Sequence, residues 1–284
     1  MLKSALLVAL AMIAFAANSI LARAALTGTA IDPVTFTAIR IASGALVLVV
    51  IVHLRGSRAM GRGSWTLAGA LFGYAILFAL AYRSLTAATG ALLLFGTVQV
   101  TMVVWGLVRG EALRARQWTG FVLAVAGLVW LLLPGLAAPP PDAGAMMIGA
   151  GLCWGVYSMR AKGTGDPARA TAANFVRATL PALILAFAFI SEANLDAAGV
   201  WLALASGALA SGGGYVVWYA ALRQITAHTA AVAQLGVPVL VAIAGVLLLA
   251  EPLNVRLAVS GLVILIGIAL VTVPSARPRM DSKT

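Results

Sequence analysis

The sequence predicts an all-α membrane protein, with ten transmembrane helices arranged as two inverted five-helix repeats. Three observations carry this reading. The 284 residues are 62% hydrophobic and 10% charged, with a mean hydropathy of +1.04. That leaves too little polar surface to cover a water-soluble core. Apolar runs of about twenty residues, each able to cross a hydrocarbon core of about 30 Å, alternate with short joints that hold most of the charges. Finally, the second half of the chain repeats the first.

The runs are 4–26, 33–53, 65–82, 86–108, 117–134, 144–162, 170–190, 199–221, 228–249 and 256–273. The first resembles a secretory signal, since Lys3 precedes an apolar stretch and Ala22-Arg23-Ala24 imitates a cleavage site. Its counterpart deep inside the chain argues for a retained helix, which offers Phe15 and Asn18 one turn apart. The second run carries Arg40, about 10 Å inside its helix, where an arginine can still snorkel. The third sets Tyr74, Phe78 and Tyr82 on one helical stripe. The fourth holds Gly96 and Gln99, and the fifth is glycine-spaced. The sixth offers Trp154 and Tyr157 where the first has Phe15 and Asn18, and the seventh carries Arg177 opposite Arg40. The eighth joins the small-residue run "ASGALASGGG", suited to close packing, to Tyr215, Trp218 and Tyr219. The ninth contains Gln234, Gly236 and Pro238, and the tenth is again glycine-spaced.

Sliding the chain by 140 residues superposes Arg83 on Arg223, Thr86 on Thr226, Gly96 on Gly236, Glu111 on Glu251 and Pro134 on Pro274, without a gap. The repeat unit is therefore five segments. Five is odd, so the second unit enters the membrane upside down, as in many secondary transporters. The basic residues set the orientation. With a cytoplasmic N-terminus, Lys3, Arg55, Arg58, Arg62, Arg109, Arg114, Arg116, Arg160, Lys162, Arg169, Arg223, Arg277, Arg279 and Lys283 face the cytoplasm, against Arg23, Arg83 and Arg256 outside. The net charge of +11 thus reports topology, and no nucleic-acid partner is implied. The lone Cys153 excludes an internal disulfide and reads as a small core residue.

"GEALRARQWTGFVLAVAGLVWLLLP" and "AEPLNVRLAVSGLVILIGIALVTVP" resemble the C-terminal signature of EamA domains, of the drug/metabolite transporter superfamily. The likeness covers residues 4–274. The aromatic helices are similar, more weakly, to YddG-type aromatic amino acid exporters. The resemblance implies a ten-helix carrier of small organic solutes, usually an exporter. The expected organisation is a first EamA repeat at 1–134, a periplasmic linker at 135–143, a second repeat at 144–274 and a cytoplasmic tail at 275–284.

The substrate-binding candidates are Phe15, Asn18, Tyr74, Phe78, Tyr82, Gln99, Trp154, Tyr157, Trp218 and Gln234. Aromatic packing and an interfacial belt are the competing account of the rings, especially Tyr82 near a helix end. A primary amide facing lipid is costly, so Gln99 and Gln234 must face protein or water, either bonded between helices or in contact with solute. Gly96, Gly236 and Pro238 are the candidate gating hinges, because Pro238 deletes a helix hydrogen bond and the glycines ease bending. Arg40 and Arg177 serve either as scaffold or as ligands for a substrate carboxylate. Glu111 and Glu251 are expected to favour the N-termini of the fifth and tenth helices.

Absences narrow the function. None of the eight carboxylates falls in mid-span, and His53 and His228 lie near helix ends, so no coupling site for protons or sodium is evident. No metal, nucleophile or phosphate-loop motif occurs, so no cofactor and no enzymatic activity are expected. The reading is an exporter, in a bacterial-type inner membrane, of small neutral, partly apolar metabolites. Amino acids with large or aromatic side chains are the first choice, carried by alternating access. Its partners are the small-molecule substrate and the lipid bilayer, with no obligate protein partner. The rivals are an exporter of drugs or anionic metabolites, a lipid flippase and a membrane structural subunit.

Overall fold

The computed structural model describes residues 2–56, 61–135, 138–160, 166–225 and 227–272. Arg58, Lys162, Thr226 and the tail 275–284 lie outside the described residues, as does the side chain of His228. Among the described residues the chain is helical, with no strand.

The first half forms α1 (Leu2–Gly28), α2 (Pro33–Leu54), α3 (Trp65–Tyr82), α4 (Ala87–Val108) and α5 (Ala115–Leu132). The second half forms α6 (Pro141–Arg160), α7 (Pro167–Ala188), α8 (Ala197–Leu222), a ninth element in two pieces, α9a (Ala227–Gln234) and α9b (Gly236–Leu249), and α10 (Val255–Thr272). Nine helices among the described residues are long and apolar enough to cross a membrane. The exception is α6, whose run is diluted by Pro141, Asp142 and the glycines at 144, 149, 151 and 155. Large apolar side chains such as Leu46, Trp130, Phe187 and Leu247 stand exposed on the outer faces of the helices, as lipid-facing surfaces require.

Both α2 and α7 begin with an Asp-Pro pair. Asp32 accepts hydrogen bonds from the N–H groups of Val34 and Thr35, and Asp166 from those of Ala168 and Arg169. Proline at the next position has no N–H to leave unpaired. The second oxygen of Asp32 accepts from the Asn194 N–H at 2.9 Å, tying α2 to the joint before α8. Burial pushes the Asp32 carboxyl up, but hydrogen bonds from Thr35, Asn194 and Val34 outweigh it and hold the group below the usual aspartate range. A depressed folded pKa means that this stabilisation is present above the unfolded value and lost as pH falls through the folded one. Asp32→Ala is therefore expected to cost about 1 kcal/mol at neutral pH and progressively less as the carboxyl protonates in acid. Melting curves in detergent across that range check it.

The packing repeats with the halves exchanged. Helix α3 lies on α6 and α4 on α6, while α8 and α9b lie on α1. Replacing each helix by its counterpart five places on converts the first set into the second. The α2–α7 and α5–α10 pairs convert into themselves. The α5–α10 contact is backbone to backbone, since a Cβ on Gly267 would stand 2.5 Å from the Ala124 N and 2.6 Å from the Gly120 O. Small residues of this kind hold membrane helices together by close approach.

Helix α8 is wound as a π-helix over Ala205–Gly213, a local widening that often marks functional positions. Its small residues let it press on α2, where a Cβ on Gly207 would overlap the Arg40 carbonyl and Ser43 Oγ.

One expectation about the loops is corrected. Glu251 does not serve α10. Its Oε2 accepts from the Ala87 N–H, at the start of α4, and its Oε1 pairs with Arg23 Nε, both at 2.7 Å. The physical reason is local. Ala250 turns the chain in a left-handed conformation (φ 52°), and Asn254 already accepts from the Leu257 N–H at the α10 terminus. Glu111 likewise lies against Gly106 at the end of α4, while Gln117 supplies the bond that starts α5.

Candidate functional site

A cavity of about 490 Å³ lies between α1, α3, α4, α6, α7, α8 and α9a. Of the expected binding residues, Phe15, Asn18, Tyr74, Phe78, Gln99, Trp154, Tyr157, Trp218 and Gln234 line it. Tyr82 does not. It is fully buried one turn beyond Phe78, edge-on to that ring at 4.6 Å, with its hydroxyl bonded to the Ala87 carbonyl.

Trp154 is the centre of the aromatic wall. Its ring meets Tyr74 at 5.0 Å, Tyr157 at 5.3 Å and Tyr215 at 5.6 Å. Phe15 meets Tyr215 and Trp218 at 5.9 and 5.8 Å. Trp154 stacks on Tyr157 and the other pairs are tilted or edge-on, at separations usual for aromatic pairs. They leave ring faces and edges along the cavity that suit a flat or bulky apolar group.

The polar groups are neutral. Asn18, Ser19, Gln99, Ser158, Thr171, Asn174, Ser211 and Gln234 line the cavity, and no charged side chain does so among the described residues. Thr171 shares a 2.6 Å hydrogen bond with the Tyr219 hydroxyl and accepts a longer one from Tyr157. Asn174 Oδ1 accepts from the Ser64 N–H at 2.9 Å. No cluster of metal-ligating side chains occurs among the described residues.

The cavity is polarised along the bundle. Its lining includes Ser158 near the end of α6, Pro167 at the start of α7, Leu222 at the end of α8 and Ala230 in α9a. It reaches the surface there, at the exposed Leu222. A smaller cavity of about 240 Å³ at this mouth shares Tyr219 and adds Arg55, Asp166 and Arg223. The opposite end is closed. Beyond Phe78 come the buried Tyr82 and then the Arg23–Glu251 pair, in which Arg23 also donates to the Tyr82 and Arg83 carbonyls at 2.9 and 3.2 Å.

The hinge candidates behave differently from one another. The ninth element breaks at Leu235, between Gln234 and Gly236. Pro238 has no N–H to give to the Gln234 carbonyl, which is the bond an unbroken helix needs at this point. A Cβ on Gly236 would meet nothing within 4 Å, so this glycine is not required by packing. Gly96 sits in the unbroken α4, where a Cβ would stand 2.9 Å from Leu128 of α5.

The two intramembrane arginines also differ. Arg177 bonds the Ala173 carbonyl of its own helix at 3.0 Å and lies 6.0 Å from the Trp65 ring. Arg40 is only 4% exposed, behind Tyr74 and Phe78. Phe95, Thr171 and Asn174 also line the cavity and were not among the residues singled out in the sequence, while Tyr215 and Tyr219, noted on the eighth run but left out of the binding candidates, line it too. A signal existed for two pairs: Tyr215 and Tyr219 are one turn apart on α8, as are Thr171 and Asn174 on α7.

Comparison with known proteins follows the same two halves. The profile of the EamA-like transporter family matches residues 2–133 and again 143–273. A Pseudomonas aeruginosa protein named Uncharacterized protein PA1977 is 53% identical over 273 residues, covering 96% of this chain and 95% of that one. An uncharacterized transporter of Archaeoglobus fulgidus is 29% identical over 286 residues, covering 95% and 97%. A solved crystal structure superposes over 95% of both chains with a TM-score of 0.65 at 21% identity, a likeness of fold alone.

Proposed function

The chain belongs to the EamA-like transporter family and is an integral membrane transporter of small molecules rather than an enzyme; from that premise we propose that it exports neutral, partly apolar metabolites, with large-side-chain amino acids first. The observation that carries this is the cavity, where a wall of rings around Trp154 meets polar side chains that are all neutral among the described residues. Rings bury an apolar side chain, and amides and hydroxyls supply both donors and acceptors to a polar end.

In this proposal the ten helices span the membrane as two inverted repeats, with both termini in the cytoplasm of a bacterial-type inner membrane. The exchange of halves in the packing supports inversion. The basic residues near the mouth, Arg55, Arg160, Arg169 and Arg223, support a cytoplasmic mouth. The structure then represents the inward-facing state of an alternating-access cycle. The rocking element is the broken ninth helix, and Gln234, Gly236 and Pro238 are the positions that move. A cysteine at position 58 is expected to resist impermeant thiol reagents in intact cells, while one in 138–143 reacts. Labelling at 58 from outside sinks the ten-span orientation.

No ion drive belongs to the proposal, because no carboxylate or histidine lines the cavity among the described residues. Purified protein in liposomes should equilibrate labelled phenylalanine or leucine, with faster exchange when unlabelled solute waits on the far side. Imposed pH or sodium gradients should leave the end point unchanged. Accumulation above the outer concentration under either gradient refutes uncoupled transport, and His228→Ala is then the first variant to make. No flux of any large-side-chain amino acid refutes the substrate class.

A further inference from the structure

Among the described residues, Arg40 is a buried cation without a counter-charge. The ion pair found among the described residues is Arg23–Glu251, elsewhere in the bundle. One guanidinium nitrogen of Arg40, Nη2, donates to the Tyr74 hydroxyl at 3.0 Å, while Nη1 is buried and finds no acceptor. The guanidinium carbon lies 5.1 Å from the Tyr74 ring centre and 4.8 Å from that of Phe78. Arg40 does not line the cavity, but both rings do.

The hydroxyl between Arg40 and the cavity has a defined polarity. Tyr74 Oη accepts from Arg40 and also from Asn18 Nδ2 at 3.2 Å. Asn18 Oδ1 in turn accepts from Ser206 Oγ at 2.6 Å, in the π-wound part of α8. A guanidinium can only donate, and a phenol carries one proton. With both acceptor positions filled, Tyr74 keeps its proton for an acceptor in the cavity that it lines. A donor that itself accepts from a cation is polarised and bonds most strongly to an anionic oxygen. The remote Arg177 offers no such relay, since its bond is to its own helix.

We propose that the Tyr74 hydroxyl, backed by Arg40 and Asn18, anchors the carboxylate of a substrate whose apolar body lies against Trp154, and that the substrate's amino group adds no net affinity. This rests on the cavity being the transport site. Arg40 is a positioning residue, because it acts through Tyr74. The second half follows from the lining: among the described residues an ammonium would find ring faces and neutral oxygens but no carboxylate there, and Arg40 behind the wall repels it. The substrate class is thus monocarboxylates with a large or aromatic body, amino acids among them.

The test uses the purified full-length protein in detergent and follows quenching of tryptophan fluorescence, with Trp154→Phe as the control for site. Three probes share one phenyl body: 3-phenylpropionate, phenylalanine and phenylalanine amide. The expected result is that both carboxylates bind at least tenfold tighter than the amide, and 3-phenylpropionate no weaker than phenylalanine. Tyr74→Phe should reduce the carboxylate preference to within threefold, as should Arg40→Met, while Arg40→Lys restores part of it. Binding of 3-phenylpropionate should also fall as pH drops below its own carboxyl pKa, which a purely structural arginine would not produce. Equal binding of acid and amide by the wild-type protein overturns the proposal, even if neither variant folds. So does a preference that survives Tyr74→Phe. In both cases, quenching that depends on Trp154 leaves the cavity standing as the binding site. If no probe binds at all, the cavity reading and this proposal fall together.

Discussion

Replacing Trp154 by alanine lowers flux of large-side-chain substrates by about 30- to 150-fold, and flux of alanine-sized substrates by far less. The indole touches Tyr74, Tyr157 and Tyr215 at once, so it forms the wall and also keeps three other rings in place. Burial of a large apolar group against it stabilises the bound state by about 2–3 kcal/mol, and each 1.4 kcal/mol is a factor of ten. A small substrate makes little of that contact and has little to lose. The quantity to measure is the ratio of aromatic to small-substrate flux, so that altered expression cancels. Phe78→Ala and Trp218→Ala should change the ratio in the same direction and by less, since each ring contributes one edge of the cavity. If all three variants leave the ratio unchanged, the rings serve packing alone and the aromatic wall is not a binding surface.

What the sequence made legible follows from where the physical signal is local. Helix existence was readable because lipid demands long apolar runs, but the Asp166-Pro167 start of α7, three residues before its apolar run, was not read. The aromatic wall was largely readable because Tyr74 and Phe78, or Trp154 and Tyr157, share a helix face with the spacing of one turn. The same rule failed for Tyr82, which continues the Tyr74 stripe but lies where α3 meets the start of α4, sealed against Gly90 and the Ala87 carbonyl. Helical periodicity gives the face of a residue and says nothing of how far along the helix the cavity extends.

Other features depended on contacts between distant segments. Asn18 and Ser206 are 188 residues apart, yet they bond to each other beside Tyr74. The π-winding that places Ser206 leaves only a run of small residues as its trace in the sequence. Glu251 was expected at the nearest helix terminus, α10, and instead reaches Ala87 and Arg23, which are far away in sequence. Symmetry was also an incomplete guide. Arg40 and Arg177 occupy corresponding helices, but Arg40 lies seven residues after Pro33 and Arg177 ten after Pro167. That difference of nearly one turn puts one behind the cavity wall and the other beside Trp65. Gly96 and Gly236 match in the repeat, yet only Gly236 adjoins a break, because only that helix has a proline two residues on.

Breaking the Arg23–Glu251 pair should open the end of the cavity opposite its mouth. This pair joins α1 to the joint after α9b. Through the Ala87 N–H and the carbonyls of Tyr82 and Arg83, it also binds the α3–α4 corner. Four segments therefore meet on two side chains. In an alternating-access cycle these contacts exist only while this end is shut, so they stabilise that state and not its opposite. Removing one member of a buried pair is destabilising by about 3–5 kcal/mol. That is an upper bound here, since the side chains keep 17% and 12% of their exposure. Even about 1.4 kcal/mol shifts the ratio of states tenfold. The measurement is the rate at which an impermeant thiol reagent, applied from outside, modifies a cysteine introduced as Ser19→Cys in a Cys153→Ala background. Ser19 lies in the cavity wall, one turn from Arg23 on α1. Glu251→Ala and Arg23→Ala should each raise that rate about tenfold or more. The double variant should gain little beyond either single one, because the partners act as a unit. Rates that stay at the wild-type level in both single variants, with the proteins folded, would show that the pair braces the loops without gating the path.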